Sequence, residues 1–335
     1  MTDTIRLQPA TDVSFAAPQV DYMVLGPQAA LPPDVLAAVV FGDSDAGLAD
    51  TRCIRVHLDP LWGHGLAELW RAAGPVVTGR DGAVRFAADA EHLAGVIELD
   101  EREHGGLAAS AERAYETIRR FQSQSPHPHL LRAWNYLDGI NRGSADEERY
   151  KQFCLGRARG LGAGLPLRYP AATAVGRRDG EPRLQVFWLA SRYPGAPLEN
   201  PRQVSAYRYP RRYGPAAPSF ARAMLVSQRL LMISGTASIV GHASHHPGCL
   251  TAQIDECIAN LESVLAHANA LRPGTSHGWG ERSLFKIYLR ERDAAGETAA
   301  HLAERLPRGA RYLILEADIC RSELLIEIEC VHGHG

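Results

Sequence analysis

Near the end of the chain, a guanidinium and a carboxyl are spaced so that they can act together. Arg311 opens the stretch RYLILEADICRSELLIEIEC (311–330), and Glu327 lies close to its end. Two apolar runs flank a polar break at Cys320-Arg321-Ser322-Glu323. Period-two patterning around a four-residue turn predicts a β-hairpin. On the second strand Leu324, Ile326 and Ile328 alternate with Leu325, Glu327 and Glu329, so one face is apolar and the other turns acidic. Such a strand can be half buried and half open to a cleft. Arg311 and Glu327 on neighbouring strands could then close the two ends of a small anionic pocket. The ordinary alternative is a solvated ion pair on a sheet face. Glu329 shares strand parity with Glu327, so position alone does not choose between them.

Further arginines and tyrosines extend this anion-binding set. Ser144 with Glu147 three residues on is a capping-box pattern and predicts a helix start. Tyr150, Phe153, Cys154 and Arg157 share one stripe of that helix. A guanidinium on a buried stripe needs an anionic partner, unless it snorkels to water. With the Tyr150 hydroxyl it forms a candidate carboxylate clamp. Residues 183–223 end in a loop carrying Tyr207, Arg208, Tyr209, Arg211, Arg212 and Tyr213. Interleaved aromatic and basic residues can stack on nucleic acid. The segment is short, however, and the chain has a formal net charge of −2 with no basic tract. A fixed, proline-bordered pocket for a small dicarboxylate accounts for the same residues. His242, His245 and His246 follow a glycine turn, and His332 and His334 sit in a glycine-rich tail. The loop reads as solvent-facing or hydrogen-bonded and the tail as frayed, with no metal expected.

The elements that must position these groups can be read from the patterning. The 335 residues suffice for two domains or one large core. Neither a run of eighteen apolar residues nor a charged-then-apolar leader is present, so no membrane span or secretory signal is expected. Six scattered cysteines without a CxxC read as reduced thiols of a cytoplasmic protein. Residues 1–18 read as a loose arm. Strands are expected in 21–27, 36–43, 53–62 and 183–190, and two more in 82–101. Residues 63–74 read as a loop or short helix. HGGLAASAERAYETIRRFQ (104–122) is a helix whose core face is Ala111, Ala114, Tyr115, Ile118 and Phe121. The segment 218–241 reads as strand, turn, strand. A helix (250–268), a strand (283–291) and a second helix (294–307) lead into the predicted hairpin. Strands followed by a helix in the first half echo the second half, which suggests a degenerate copy of one α+β unit.

This order resembles the RidA/YjgF family, through "SG" closing the second strand, "AQ…E…NLESVL" on the helix and "IEIE" on the last strand. Over most of residues 130–332 the likeness becomes more specific. WNYLDGIN, ERYKQFCLGRARGL, SAYRYPRRYGPAAPSFARA, ISGTASIVGH and LLIEIE together resemble the chorismatase family. The first 120 residues carry little of it. The resemblance implies an α+β fold of two RidA/YjgF-like (chorismate-mutase-like) units, with mixed sheets packed by helices. The division is expected at 165, between residues 1–165 and 166–335. It also implies that a monomer cleaves chorismate into pyruvate and a ring product.

Within that resemblance Glu327, not Glu329, holds the place of the proton donor. Arg311, Arg222 and Arg157 are the implied carboxylate clamps, with Tyr150, Tyr207 and Tyr213 as hydroxyl donors. Members that aromatise the ring to 3-hydroxybenzoate, alone or with 4-hydroxybenzoate, carry Gly where Gly235 stands and Cys where Cys320 stands. Gly235 would leave room for the ring to reorient, and Cys320 could relay a proton or simply fill space. Hydroxybenzoate plus pyruvate contains the same atoms as chorismate, so no cofactor is needed. Two other readings stand beside this one: a RidA-type enamine or imine deaminase, and a non-catalytic binding protein for a small aromatic acid.

Overall fold

Short alternating runs bounded by glycine, proline and Asx residues fold as strands, and two amphipathic pairs of longer segments fold as helices. The structure, a computed structural model, describes the chain except for residues 1–15, 27–29, 44–49, 163–168, 228–229, 274–277 and 334–335. The loose arm expected at 1–18 therefore falls almost wholly outside the described residues, as does His334.

In chain order the first elements are β1 (Gln19–Val24), β2 (Val35–Phe41), β3 (Cys53–Val56), β4 (Pro60–Trp62) and β5 (Leu66–Arg71). Next come β6 (Val77–Asp81), β7 (Val84–Ala88), β8 (His92–Asp100), α1 (Leu107–Gln124), β9 (His129–Asp138), α2 (Arg149–Leu161), β10 (Ala171–Arg177) and β11 (Arg183–Ser191). The rest are β12 (Ala196–Leu198), β13 (Ala223–Val226), β14 (Leu230–Ala237), the small ribbon β15 (Ile239–Val240) and β16 (Ala243–Ser244), α3 (Leu250–Leu271), β17 (Ser283–Leu289), α4 (Ala295–Arg305), β18 (Arg311–Glu316) and β19 (Ile326–His332).

Two sheets repeat one topology. The first has the order β10-β9-β11-β8-β7-β6, and the second runs β12-β13-β14-β19-β17-β18-β4. Each contains an antiparallel three-strand meander, a helix, a strand, a second helix, a parallel neighbour, and a last strand inserted antiparallel in the middle. The expected duplication is thus visible in the hydrogen bonding. The repeats span 77–191 and 196–332, so a division at 165 would pass through the first sheet. A third sheet, β1-β5-β2-β3, precedes them, and β4 adds an edge strand to the second repeat.

The hairpin predicted over 311–330 does not form. Parallel strands β17 and β18 need a crossover, which α4 supplies, and β19 then pairs with β14 and β17 rather than with β18. Residues 63–74 contain strand β5, and 53–62 splits into β3 and β4. His129–Asp138, for which the patterning assigned no element, is a largely buried strand of the first sheet. Ser144 makes no capping bond and is followed by a short 3₁₀ turn, while α2 begins only at Arg149.

Helices α1 and α2 cover one face of the first repeat's sheet, and α3 and α4 cover one face of the second's. Gly156 and Gly160 let α2 approach α1 closely, because a Cβ at either would strike the backbone carbonyl of Ala108 or Glu112. The remaining faces meet in a core that includes Trp70, Trp134, Phe187, Tyr288 and Leu315. β10 and the β13–β14 region meet at a seam: Ala171 bridges Ala221, and the Ala172 amide donates to Ser234 Oγ at 2.9 Å. The six cysteines form no disulfide. No helix among the described residues is long and apolar enough to cross a membrane.

Candidate active site

A cavity of about 220 Å³ opens at this seam. Its walls come from α2 (Tyr150, Cys154, Arg157), β10 (Thr173), the 209–222 loop (Tyr209, Arg212, Tyr213, Phe220, Arg222), β14 (Gly235), and the stretch from Cys320 to Glu327. The two sheets supply rigid strands, and the Pro/Tyr/Arg loop supplies the outer wall.

Glu327 lies on β19, 5% exposed, between β14 and β17. No side chain among the described residues hydrogen-bonds its carboxyl. Burial raises its pKa most, the Glu329 carboxylate adds to the rise, and Arg132 and Arg222 pull it back, leaving it at about 8. The group is therefore a neutral carboxylic acid at pH 7. Glu329, two residues on, differs sharply. It is no strand-edge charge meeting water: it accepts bonds from Trp134 Nε1 (2.7 Å), Arg132 Nη2 (2.8 Å), Thr173 Oγ1 (2.6 Å), Lys286 Nζ (3.0 Å) and the Tyr288 hydroxyl (3.2 Å). Burial favours its neutral form, yet Lys286 and Arg132 hold its pKa below the ordinary carboxyl value. Environment, which parity could not reveal, separates the two.

Gly235 lies directly against the acid. A Cβ there would overlap Glu327 Oε1 and stand 2.8 Å from its Cδ. The missing side chain makes room for the Glu327 carboxyl. The Gly235 amide donates to Thr173 Oγ1 at 2.9 Å, which ties β14 to β10 beside the acid.

Arg157 is 3% exposed and stacks over the Tyr115 ring at 4.8 Å. Its Nε and Nη2 have no hydrogen-bond partner among the described residues. Arg222 donates to Val204 O (3.0 Å) and to the Tyr209 hydroxyl (2.7 Å), and its Nε likewise has no partner among the described residues. Buried guanidinium N–H groups without acceptors are costly, and a bound carboxylate would satisfy them. Tyr150 shares a hydrogen bond with Cys154 and lines the same wall. Burial pushes the thiols of Cys154 and Cys320 up to about 12, helped for Cys320 by Glu327, so both stay protonated at neutral pH. Cys320 therefore faces the cavity as a thiol and not as a thiolate base.

At the mouth, His242 Nδ1 lies 2.9 Å from Arg212 Nη2 and 3.2 Å from the Tyr213 hydroxyl. Arg321 covers the Tyr213 ring at 4.2 Å and donates to the His242 carbonyl at 3.0 Å.

Two expected residues are elsewhere. Arg311 is half exposed and pairs with Asp21, because β18 lies two strands away from β19, roughly 10 Å across the sheet. Tyr207 packs on Tyr169, since the three-residue turn Ala206–Arg208 puts it on a different side from Tyr209. Tyr209 and Arg212 belong to the loop for which the sequence suggested a dicarboxylate pocket but were not among the named clamps, and Arg321 was read only as part of a polar break; all three line the cavity. Thr173 and Phe220 gave no signal. His332 is not frayed: it is buried at the end of β19, 2.9 Å from Ser283 Oγ. His245, His246 and Glu256 place potential ligand atoms within 4.8 Å of one another, but the Glu256 carboxylate already pairs with Arg202 at 2.6 Å.

A neutral acid and guanidiniums with unpaired nitrogens share one cavity, an arrangement that could hold and protonate a small anionic molecule. Residues 68–190 match the sequence family described as chorismatase FkbO/Hyg5-like, N-terminal. A chorismatase of Streptomyces rapamycinicus is 36% identical over 287 residues, covering 82% of this chain and 85% of the relative. A 3-hydroxybenzoate synthase of Streptomyces hygroscopicus is 34% identical over 280 residues, covering 79% and 81%. A chorismatase crystal structure superposes with a TM-score of 0.84 at 31% identity, covering 96% of this chain and 99% of that one. The chain belongs to the chorismatase family.

Proposed function

We propose that this protein converts chorismate to 3-hydroxybenzoate and pyruvate, with Glu327 as the general acid. The observation that carries the reading is the Glu327 carboxyl, neutral at pH 7 and facing a cavity walled by guanidiniums. Chorismate presents two carboxylates and an enol ether. Arg157 and Arg222 are the proposed carboxylate partners, with Tyr150, Tyr213 and Tyr209 as hydroxyl donors.

Glu327 transfers its proton to the ether's terminal methylene carbon, which becomes the methyl group of pyruvate. The adjoining carbon becomes an oxocarbenium centre. The neighbouring ring hydroxyl then bonds, with loss of its proton, to the ring carbon that carries the ether. That carbon's bond to the ether oxygen breaks, so that the oxygen leaves as the ketone oxygen of pyruvate. The oxygen kept on the ring regains a proton as the ring aromatises. Aromatisation expels one ring C–H proton, and the Glu327 carboxylate is the base placed to recover it. The atoms balance without added water. The name of the 34% identical relative supports the aromatic product, as do Gly235 and Cys320 at the cavity wall.

Incubating the purified protein with chorismate and separating the products tests this directly. The expected result is equimolar pyruvate and 3-hydroxybenzoate. Binding without pyruvate release would favour a sensor, and pyruvate with a non-aromatic diene would overturn the aromatising step.

A further inference from the structure

Glu329, Lys286, Arg132 and Glu68 form a buried cluster behind the acid that the reaction above does not use. Glu68 comes from β5 of the N-terminal sheet, Lys286 from β17, Arg132 from β9 of the first repeat, and Glu329 from β19 of the second. Lys286 Nζ lies 2.6 Å from Glu68 Oε2 and 3.0 Å from Glu329 Oε1. Arg132 Nη2 lies 2.8 Å from Glu329 Oε2, and all four side chains are under 5% exposed. Trp70 Nε1 donates to the remaining Glu68 oxygen at 2.7 Å. Two carboxylates thus face two cations and the cluster balances. An ionised Glu327 beside it would be a fifth charge that the cluster itself does not neutralise. The cluster also reaches the acid through the backbone. Thr173 Oγ1 donates to Glu329, accepts from Arg132 at 2.5 Å, and accepts from the Gly235 amide. Gly235 is the residue against which the Glu327 carboxyl lies.

We propose that Glu329 is a positioning residue, which, balanced by Lys286, Arg132 and Glu68, keeps Glu327 in its protonated form and fixes the Thr173–Gly235 backbone against which it lies. This deepens the acid-catalysis reading and rests on it. It also gives the N-terminal sheet a part in the chemistry, since Glu68 supplies the counterion that lets Lys286 be shared. The other groups facing Glu327 do not duplicate this. Tyr150 and Cys154 on α2, Cys257 on α3 and Cys320 are neutral at pH 7, and Arg222 and Arg132 act the opposite way by favouring the ionised acid.

The test is the pH dependence of kcat/KM for chorismate. Activity needs the protonated acid, so it falls as pH rises through the Glu327 titration. Glu329→Gln removes the neighbouring negative charge and leaves the cluster one positive charge in excess. The alkaline limb should move to lower pH by about one unit or more, with activity at pH 6 changed far less than at pH 8. The doubly substituted Glu329→Gln, Lys286→Met restores the balance and should move the limb back. A uniform loss at every pH, with the limb unmoved, would overturn the proposal.

Should the variants not fold, carboxyl ¹³C NMR of the parent protein labelled at glutamate decides the matter without chorismate. The signal lost in Glu327→Gln should be protonated at pH 6 while a second buried glutamate is ionised. A Glu327 signal already ionised at pH 6 would overturn it. Because the spectrum involves no turnover, failure of the chorismate reading would leave this result standing.

Discussion

Adding one methyl group at Gly235 should separate positioning of the acid from stability of the fold. Gly235 does not use a left-handed backbone conformation, so alanine is permitted by the chain. Its Cβ would overlap Glu327 Oε1, stand 2.8 Å from Cδ, and stand 3.1 Å from Thr173 Cγ2. Ordinary carbon contacts lie at about 3.5–4.0 Å, so Cδ must retreat by roughly 0.7 Å or more. Thr173 is pinned by Glu329, Arg132 and the residue 235 amide, whereas the Glu327 carboxyl is the free end of a flexible side chain. The acid therefore moves and the wall does not. A misplacement approaching 1 Å costs about 10²-fold in rate. Overpacking of about 1–3 kcal/mol is partly offset by about 0.4–1 kcal/mol from the stiffer unfolded chain. Gly235→Ala should thus melt within a few degrees of the parent while kcat for pyruvate release drops by about two orders of magnitude. A normally melting variant with kcat within twofold of the parent would refute the claim that Gly235 exists to seat the acid.

Three further outcomes are expected. Gly235→Ala combined with Cys320→Val should shift the product ratio from 3-hydroxybenzoate toward the non-aromatic diene at whatever rate remains, and chromatography showing 3-hydroxybenzoate as the sole ring product would defeat that. Arg157→Ala should lower kcat/KM by about 10²–10³-fold, since a buried carboxylate loses a charge-assisted contact of about 3–4 kcal/mol, while Arg311→Ala should stay within about twofold because its partner Asp21 is itself half exposed. As pH rises from about 5 to 8, unfolded Glu327 ionises while the native group, with its pKa at about 8, stays protonated, so the parent should lose stability relative to Glu327→Gln; parallel melting curves across that window would contradict the assigned protonation state.

Much of the fold was legible because burial writes itself into periodicity. The α1 face of Ala111, Ala114, Tyr115 and Ile118 is buried as its spacing required. Strand pairing was not legible, because it is decided by which strand inserts between which others. β18 and β19 are consecutive in sequence yet lie on opposite sides of β17. That single fact displaced Arg311 from the site. Glu327 and Glu329 looked equivalent by parity, and only contacts from β9, β10 and β17 distinguish the bonded carboxylate from the free acid. Arg157 was readable as a buried cation in need of a partner, and two of its nitrogens have none among the described residues. Ser144 and Glu147 matched a capping pattern, but the chain turns through Ala145–Glu147 first and α2 starts later.

The most direct test of acid catalysis is the comparison of Glu327→Gln with the parent enzyme, measuring pyruvate release from chorismate alongside calorimetric titration with a non-reactive chorismate analogue. Glutamine keeps the shape of the side chain but cannot deliver the proton. The expected result is a loss of turnover of roughly 10²–10⁴-fold, with analogue affinity retained because Arg157 and Arg222 remain. Turnover at the parental rate in Glu327→Gln would contradict the account.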